Sequence, residues 1–259
     1  MLGTFILWFC WFGFNAGNAI NYNDTSELRP TVMAVSVVNT TLSASTAGVT
    51  ALLTDLFLTE RKTGEAIFNI SYAMNGVISG LVAITGGCAV FCPWVSVIIG
   101  GVAGLNYLFT SKLLVRWCID DAVDAIPVHL SNGVWGVLAT GLFASREGIE
   151  RLLNNTDPRH IGWFYSLGEG SNDATFLACQ MLGLLVIIVW VLSMMLPFFL
   201  GLSYFGMLRS DALEEMVGLD VSYSSGTTSL FRTTDGISKG TIGTDNFTTA
   251  EKENDHDFA

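Results

Sequence analysis

The sequence predicts an all-α polytopic membrane protein, and three observations carry that prediction. Hydrophobic residues make up 51% of the 259-residue chain and charged residues 14%, against about 25% charged in a soluble domain. The mean hydropathy is +0.50. The apolar residues gather into six runs, at about 1–20, 31–58, 66–90, 93–114, 122–144 and 174–207, each long enough to approach the ~20 helical residues that cross the hydrocarbon of a bilayer.

Each run has its own character. The first starts apolar with no basic flank, and Asn15 and Asn18 interrupt its end, so it reads as a span and not as a cleaved leader. The second and third are rich in Ser, Thr, Gly and Asn. Small residues let backbones approach and hydroxyls bond across the contact, as in helices packed within a bundle. Gly76 and Gly80 in the third run, and Gly100 and Gly104 in the fourth, stand four apart and read as close helix contacts. The sixth run, about 50 Å long at 1.5 Å per residue, must tilt, kink at Pro197 or project beyond the bilayer.

The formal charge of −11 is unevenly placed. Residues 211–259 hold ten Asp/Glu and three Lys/Arg, which is −7 of it. The chain beyond Val221 is dominated by Ser, Thr, Gly and acids, with too little apolar surface to offset ordering entropy. The expected organisation is a helical membrane bundle over 1–210 and a cytoplasmic tail over 211–259, disordered beyond about 225. Six spans put both ends on one side. Loop arithmetic gives five basic residues to that side and four to the other, which favours cytoplasmic ends. Sequons at Asn23 and Asn154 would then lie outside, although three more, at Asn39, Asn69 and Asn246, fall in spans or tail.

Several chemistries find no support. The five cysteines form no Cys-x-x-Cys pair, and no Cys/His set has zinc spacing, so no metal or cofactor is expected and the thiols read as small buried apolar groups. The spans hold no Gly-x-Gly-Asp pair and no Ser–His couple, so the chain is not expected to be an enzyme. No nucleic-acid partner is implied; the bilayer is.

Few polar groups stand inside the spans. His129 lies about eight residues into the fifth. An ionisable group at such depth usually faces a cavity or a partner; it lines a pore, or it is a core histidine bonded to a neighbouring helix. Asp120, Asp121 and Asp124 crowd the start of the same helix, where carboxylates favour the positive end of the macrodipole. Asp124, five residues before His129, also suits a vestibule. In the first span Trp8, Trp11, Phe12 and Phe14 precede "NAGN". Aromatics near a boundary are normally belt residues; ring faces also attract a small ammonium ion.

Three stretches carry a resemblance to a known family. "GTFILWFCWFGFNAGN" closely resembles the sixth transmembrane segment of the ammonium transporters (the Amt/Mep/Rh superfamily). "DDAVDAIPVHLSNGVWGVLATGLFA" resembles the tenth, with its Asp-Asp-x-x-Asp followed by histidine, and "EEMVGLD" resembles the C-terminal motif. The matches stand in the family's order and spacing over residues 1 to about 225. The resemblance implies a homotrimer with one pore per subunit, between two inverted five-helix repeats and followed by a long tilted helix. The permeant would be ammonium or ammonia, with methylammonium as analogue, and the plasma membrane is the expected location.

Carried over by motif, His129 matches the second of two mid-pore histidines, Phe14 one of two stacked gate phenylalanines, and Trp11 a pore-lining tryptophan. Asn18 stands where the family usually has a serine at an outer ammonium site. Ser222 resembles the position of a regulatory phosphosite, or is one more serine of the tail. Leu130 replaces the glycine that usually follows the histidine. The family's first repeat has no counterpart here, so the chain is expected to be a fragment of a full-length transporter. The alternatives are a separately encoded first half, or a short isoform acting as a regulatory or assembly partner of full-length transporters.

Overall fold

The structure, a computed structural model, describes residues 1–22, 29–153 and 160–209, the side chains of 18–22 and 29 excepted. Among the described residues every regular element is helical: α1 (Leu2–Tyr22), α2 (Arg29–Thr63), α3 (Ile70–Thr85), α4 (Pro93–Arg116), a π-helical turn (Ile126–Ser131) running into α5 (Asn132–Phe143), α6 (Arg146–Leu153), α7 (Trp163–Gly168) and α8 (Thr175–Tyr204). Among them, Pro30–Thr63, Pro93–Arg116 and Thr175–Tyr204 are long and apolar enough to cross a membrane, while Leu2–Gly17 and Ile70–Thr85 are shorter apolar helices. The proposed tail, including Ser222, and the sequons at Asn23 and Asn154 lie outside the described residues.

The chain divides into two compact units, Met1–Val191 and a second from Leu192 onward. In the second, Pro197 lies inside α8, and Phe198 and Phe199 meet edge-on with ring centroids 5.4 Å apart. No residue of α8 is buried.

The first unit is organised around α2, α3 and α4, which pack on one another; α1 lies on α2 and α3, and the π-helical turn and α5 lie on α3 and α4. The contact face of α2 is made of small residues. Ser36, Thr40, Ser43, Ala44, Ala47 and Ala51 are all buried. The hydroxyls of Ser36 and Thr40 donate back to the carbonyls of Val32 (2.8 Å) and Ser36 (2.6 Å), which satisfies them without water. Against this face come the glycines whose spacing marked them as contacts. A Cβ on Gly80 would stand 2.6 Å from the Ser43 carbonyl oxygen and from the Ala47 Cβ, and one on Gly104 would stand 2.5 Å from the Ala47 carbonyl oxygen.

Gly87, Cys88, Val90 and Phe91 of the connection from α3 to α4 are buried as well. Asn39, fully buried in α2, donates its amide to the carbonyls of Cys88 (2.7 Å) and Phe91 (2.9 Å). Ser145 caps α6, its Oγ accepting from the Gly148 N–H at 3.1 Å while donating to Val90 O at 2.8 Å. Outside the spans, Arg146 pairs with Glu169.

The structure departs from the sequence reading in the fifth run. The helical stretch begins at Ile126, so the three aspartates precede it, and His129 stands in its first turn and not eight residues deep. The cause is backbone: Asp124 has a positive φ of 57° and Cys118 one of 56°, and these left-handed residues keep the segment between α4 and the turn from continuing as helix. The third run is helical only over Ile70–Thr85: residues 66–69 precede the helix as exposed chain, and residues 86–90 belong to the connection that Asn39 secures.

Gly100→Ala would place its Cβ 2.3 Å from the Ser43 carbonyl oxygen, whereas Gly101→Ala meets its nearest neighbour at 3.8 Å. Gly100→Ala should destabilise the detergent-solubilised protein by about 1–3 kcal/mol in a thermal-unfolding measurement, and Gly101→Ala should be near neutral. Hydrogen bonding from Arg146 holds the Glu169 carboxyl below its ordinary pKa. Its contribution is therefore present above the unfolded-state value and is lost as pH falls through the lowered folded-state value. The stability difference between wild type and Glu169→Gln should shrink across that acidic window in melts recorded against pH.

Candidate functional site

The segment carrying the candidate histidine is held at both ends. Ahead of it, the Asp121 carboxylate accepts from the backbone N–H groups of Ala125 (2.8 Å) and Ile126 (2.7 Å), two donors that a helix start leaves without intrahelical partners. Pro127 then occupies a first-turn position where its missing N–H costs nothing. The backbone takes six residues of π-helix, a wider winding common at functional sites. Its Pro127 carbonyl accepts from both Ser131 Oγ (2.6 Å) and Asn132 Nδ2 (2.8 Å). Asn132 is fully buried, and its own oxygen accepts from Asn106 Nδ2 of α4 at 3.3 Å.

Within the turn, Pro127 and Val128 are buried and His129 and Leu130 are exposed. The imidazole thus projects from a fixed backbone onto a side of the bundle that the described residues do not cover. Leu130, 57% exposed, brings its extra bulk to the same side and is not packed into a helix contact among the described residues.

Asp124 is tied to two helices at once. Its Oδ2 accepts from the Tyr107 hydroxyl of α4 at 2.7 Å and from Asn75 Nδ2 of α3 at 3.3 Å, and its Oδ1 accepts from Ser111 Oγ of α4 at 3.0 Å. Asp120 is exposed and stands apart from this set. Nearby in α4, Lys112 pairs with the buried Asp55 of α2 at 3.0 Å and stands 5.9 Å from the Tyr72 ring centre.

On α1, Trp11 donates its indole N–H to Thr85 Oγ1 of α3 at 2.9 Å. Its ring lies 6.0 Å from that of Phe14 at an interplanar angle of 59°. Phe14 is 59% exposed. Asn15, buried beside them, donates to Thr40 Oγ1 at 2.8 Å. Asn18 belongs to α1, but its side chain lies outside the described residues. Helix α3 receives both ends of this arrangement: Thr85 takes Trp11, and the π-helical turn packs on the same helix.

Asn75, Tyr107, Ser111, Asp55 and Thr85 do not emerge as site residues from the sequence. A signal for them existed. They are hydrogen-bonding or ionisable groups inside apolar runs, where each requires a partner, but nothing in the spacing names that partner. Among the described residues no three His, Cys, Asp or Glu side chains gather as metal ligands.

These features define a helical membrane protein in which an exposed histidine and an aromatic pair are carried on segments that pack on the same helix, α3. A family model described as the ammonium transporter family matches residues 1–228. The chain belongs to that family. It is 34% identical over 240 residues to ammonium transporter 1 member 2 of Arabidopsis thaliana, covering 92% of this chain and 45% of that protein. It is 35% identical over 230 residues to ammonium transporter 1 member 1 of Solanum lycopersicum, covering 87% and 45%. The crystal structure of Saccharomyces cerevisiae Mep2 matches with a TM-score of 0.66 at 26% identity, over 80% of this chain and 44% of that one. A structure titled "Sensor Amt Protein" matches with 0.64 at 29%, over 85% and 47%. The chain thus spans about half the length of the curated relatives it matches.

The Asp121 cap gives a direct test. Asp121→Ala should cost about 1 kcal/mol and raise amide exchange at Ala125 and Ile126, measured by hydrogen–deuterium exchange, while Asp120→Ala should change neither.

Proposed function

We propose that this chain supplies one half of a transmembrane path for ammonium or ammonia, and that His129 faces that path. The observation that carries the reading is the direction of His129. Its neighbours Pro127 and Val128 are buried, and the imidazole is turned to the uncovered side. A second set of helices laid over that side encloses the imidazole between apolar walls. Relatives about twice as long as this chain are consistent with a path built from two such halves.

The chemistry follows from the enclosure. Stripping water from an intact ammonium ion in an apolar passage is costly, whereas ammonia and a separately moving proton avoid most of that cost. A neutral imidazole, one donor and one acceptor, bonds the permeating molecule or passes the proton on. Trp11 and Phe14 present ring faces toward which an ammonium ion is drawn before it loses its proton. Asn18, which stands where the family usually has a serine, would serve as an acceptor for the ammonium ion through its amide oxygen. Discrimination against larger amines rests on passage width and on these few polar contacts.

In this reading the working assembly is a trimer in the plasma membrane, with both ends of this segment cytoplasmic and the tail, through Ser222, open to control by phosphorylation. Added charge there would disturb a tail contact.

The test is methylammonium uptake in transport-deficient cells. The chain alone is compared with the same chain preceded by a family first repeat. The fusion should transport and the single chain should not. His129→Ala in the fusion should lower uptake at least tenfold or alter the preference for ammonium over methylammonium. A fusion that reaches the membrane as a folded trimer yet takes up no more than empty cells overturns the reading.

A further inference from the structure

Asp124 and Tyr107 do more than fill a polar gap. The His129 imidazole is directed by six residues of π-helix, a winding that is less common than the α-helix and needs outside support. The downstream support is Asn132, held to Asn106 of α4. The upstream support is Asp124. Its backbone carbonyl accepts from the Val128 N–H at 3.0 Å, so it closes the turn immediately before His129, and its carboxylate is held by Tyr107, Asn75 and Ser111. Asp124 also pays a conformational cost, since its φ is 57° and left-handed backbone is disfavoured for non-glycine residues.

Tyr107 meets this segment twice. Its hydroxyl donates to Asp124, while its ring belongs to the same buried apolar cluster as Val128, the residue next to His129. The tyrosine itself is fully buried. Its hydroxyl is also an acceptor for Asn75 Nδ2 at 3.2 Å, so α3 and α4 share one hydrogen-bonded node. An α4 residue therefore bonds Asp124 and shares an apolar cluster with Val128, both on the N-terminal side of the imidazole.

We infer that Tyr107 and Asp124 act as a positioning pair: the hydrogen bond from Tyr107 to the Asp124 carboxylate sets the register of the π-helical turn and thereby the direction of His129 into the permeation path. The pair touches no permeating molecule; it acts through the histidine. The inference rests on His129 facing the path, and its test is arranged so that the two can fail separately.

The experiment uses the transport-competent fusion and the variants Tyr107→Phe and Asp124→Gly. Tyr107→Phe keeps the buried ring and removes only the hydroxyl. Asp124→Gly keeps the left-handed backbone accessible and removes the carboxylate. At equal amounts of surface protein, each should change the KM for methylammonium, or the ammonium-to-methylammonium preference, at least about threefold. A fold-wide defect would lower the maximal rate alone. Combined with His129→Ala, Tyr107→Phe should add no further change in preference, because both variants report on one group.

A readout independent of transport is hydrogen–deuterium exchange over residues 126–132, which should rise at least about tenfold in Tyr107→Phe with exchange in α2 unchanged. Unchanged exchange and unchanged preference in Tyr107→Phe overturn the positioning pair. Raised exchange in a fusion that never transports supports the pair and overturns only the transport reading. Should Asp124→Gly fail to reach the membrane, Tyr107→Phe alone decides the matter.

Discussion

Ser43 of α2 is where the bundle closes. Its hydroxyl donates to the Gly80 carbonyl of α3 at 2.9 Å, and its own backbone stands so near Gly100 of α4 that a Cβ there would meet the Ser43 carbonyl oxygen at 2.3 Å. Three helices therefore meet at backbone distance around one small polar residue. In lipid no hydrophobic force drives helices together, so close packing and internal hydrogen bonds must do it. The neighbouring segments pack on these three helices: α1 lies on α2 and α3, and the histidine-bearing turn on α3 and α4.

Such tight packing also forces the placement of polar groups. Ser36, Asn39, Thr40 and Asp55 are buried, and each has at least one partner within the same bundle: a carbonyl for Ser36 and for the Asn39 amide N–H, the Asn15 amide for Thr40, and the Lys112 ammonium for Asp55. The same demand shapes the turn around His129. Asp121 answers the N–H groups of its start, while Ser131 and Asn132 answer the Pro127 carbonyl. The result is a backbone with little freedom, carrying one imidazole on the side that the described residues leave uncovered.

Much of this was legible in the chain and some was not. Glycines four apart announced close contacts because that spacing puts them on one helix face, and Gly80, Gly100 and Gly104 lie against α2 as expected. Asp121 announced a helix start, and its carboxylate caps one. Asp124 stood in the same acidic cluster, yet its partners Tyr107 and Asn75 lie 17 and 49 residues away. The bond between Trp11 and Thr85 crosses 74 residues. Long-range pairs of this kind leave no periodic trace, because one polar residue in a span announces a need for a partner and not the partner's identity.

By itself the sequence determined the solvent, the helical class and the stretches that carry the family's motifs. Those follow from apolar run length and local order, which depend on neighbours along the chain. Only the tertiary structure decided where the fifth run becomes helical, how many residues separate that start from His129, and which way the imidazole points. These depend on a left-handed backbone at Asp124 and on hydrogen bonds from α3 and α4. They exist only once distant helices have closed around the small residues of α2.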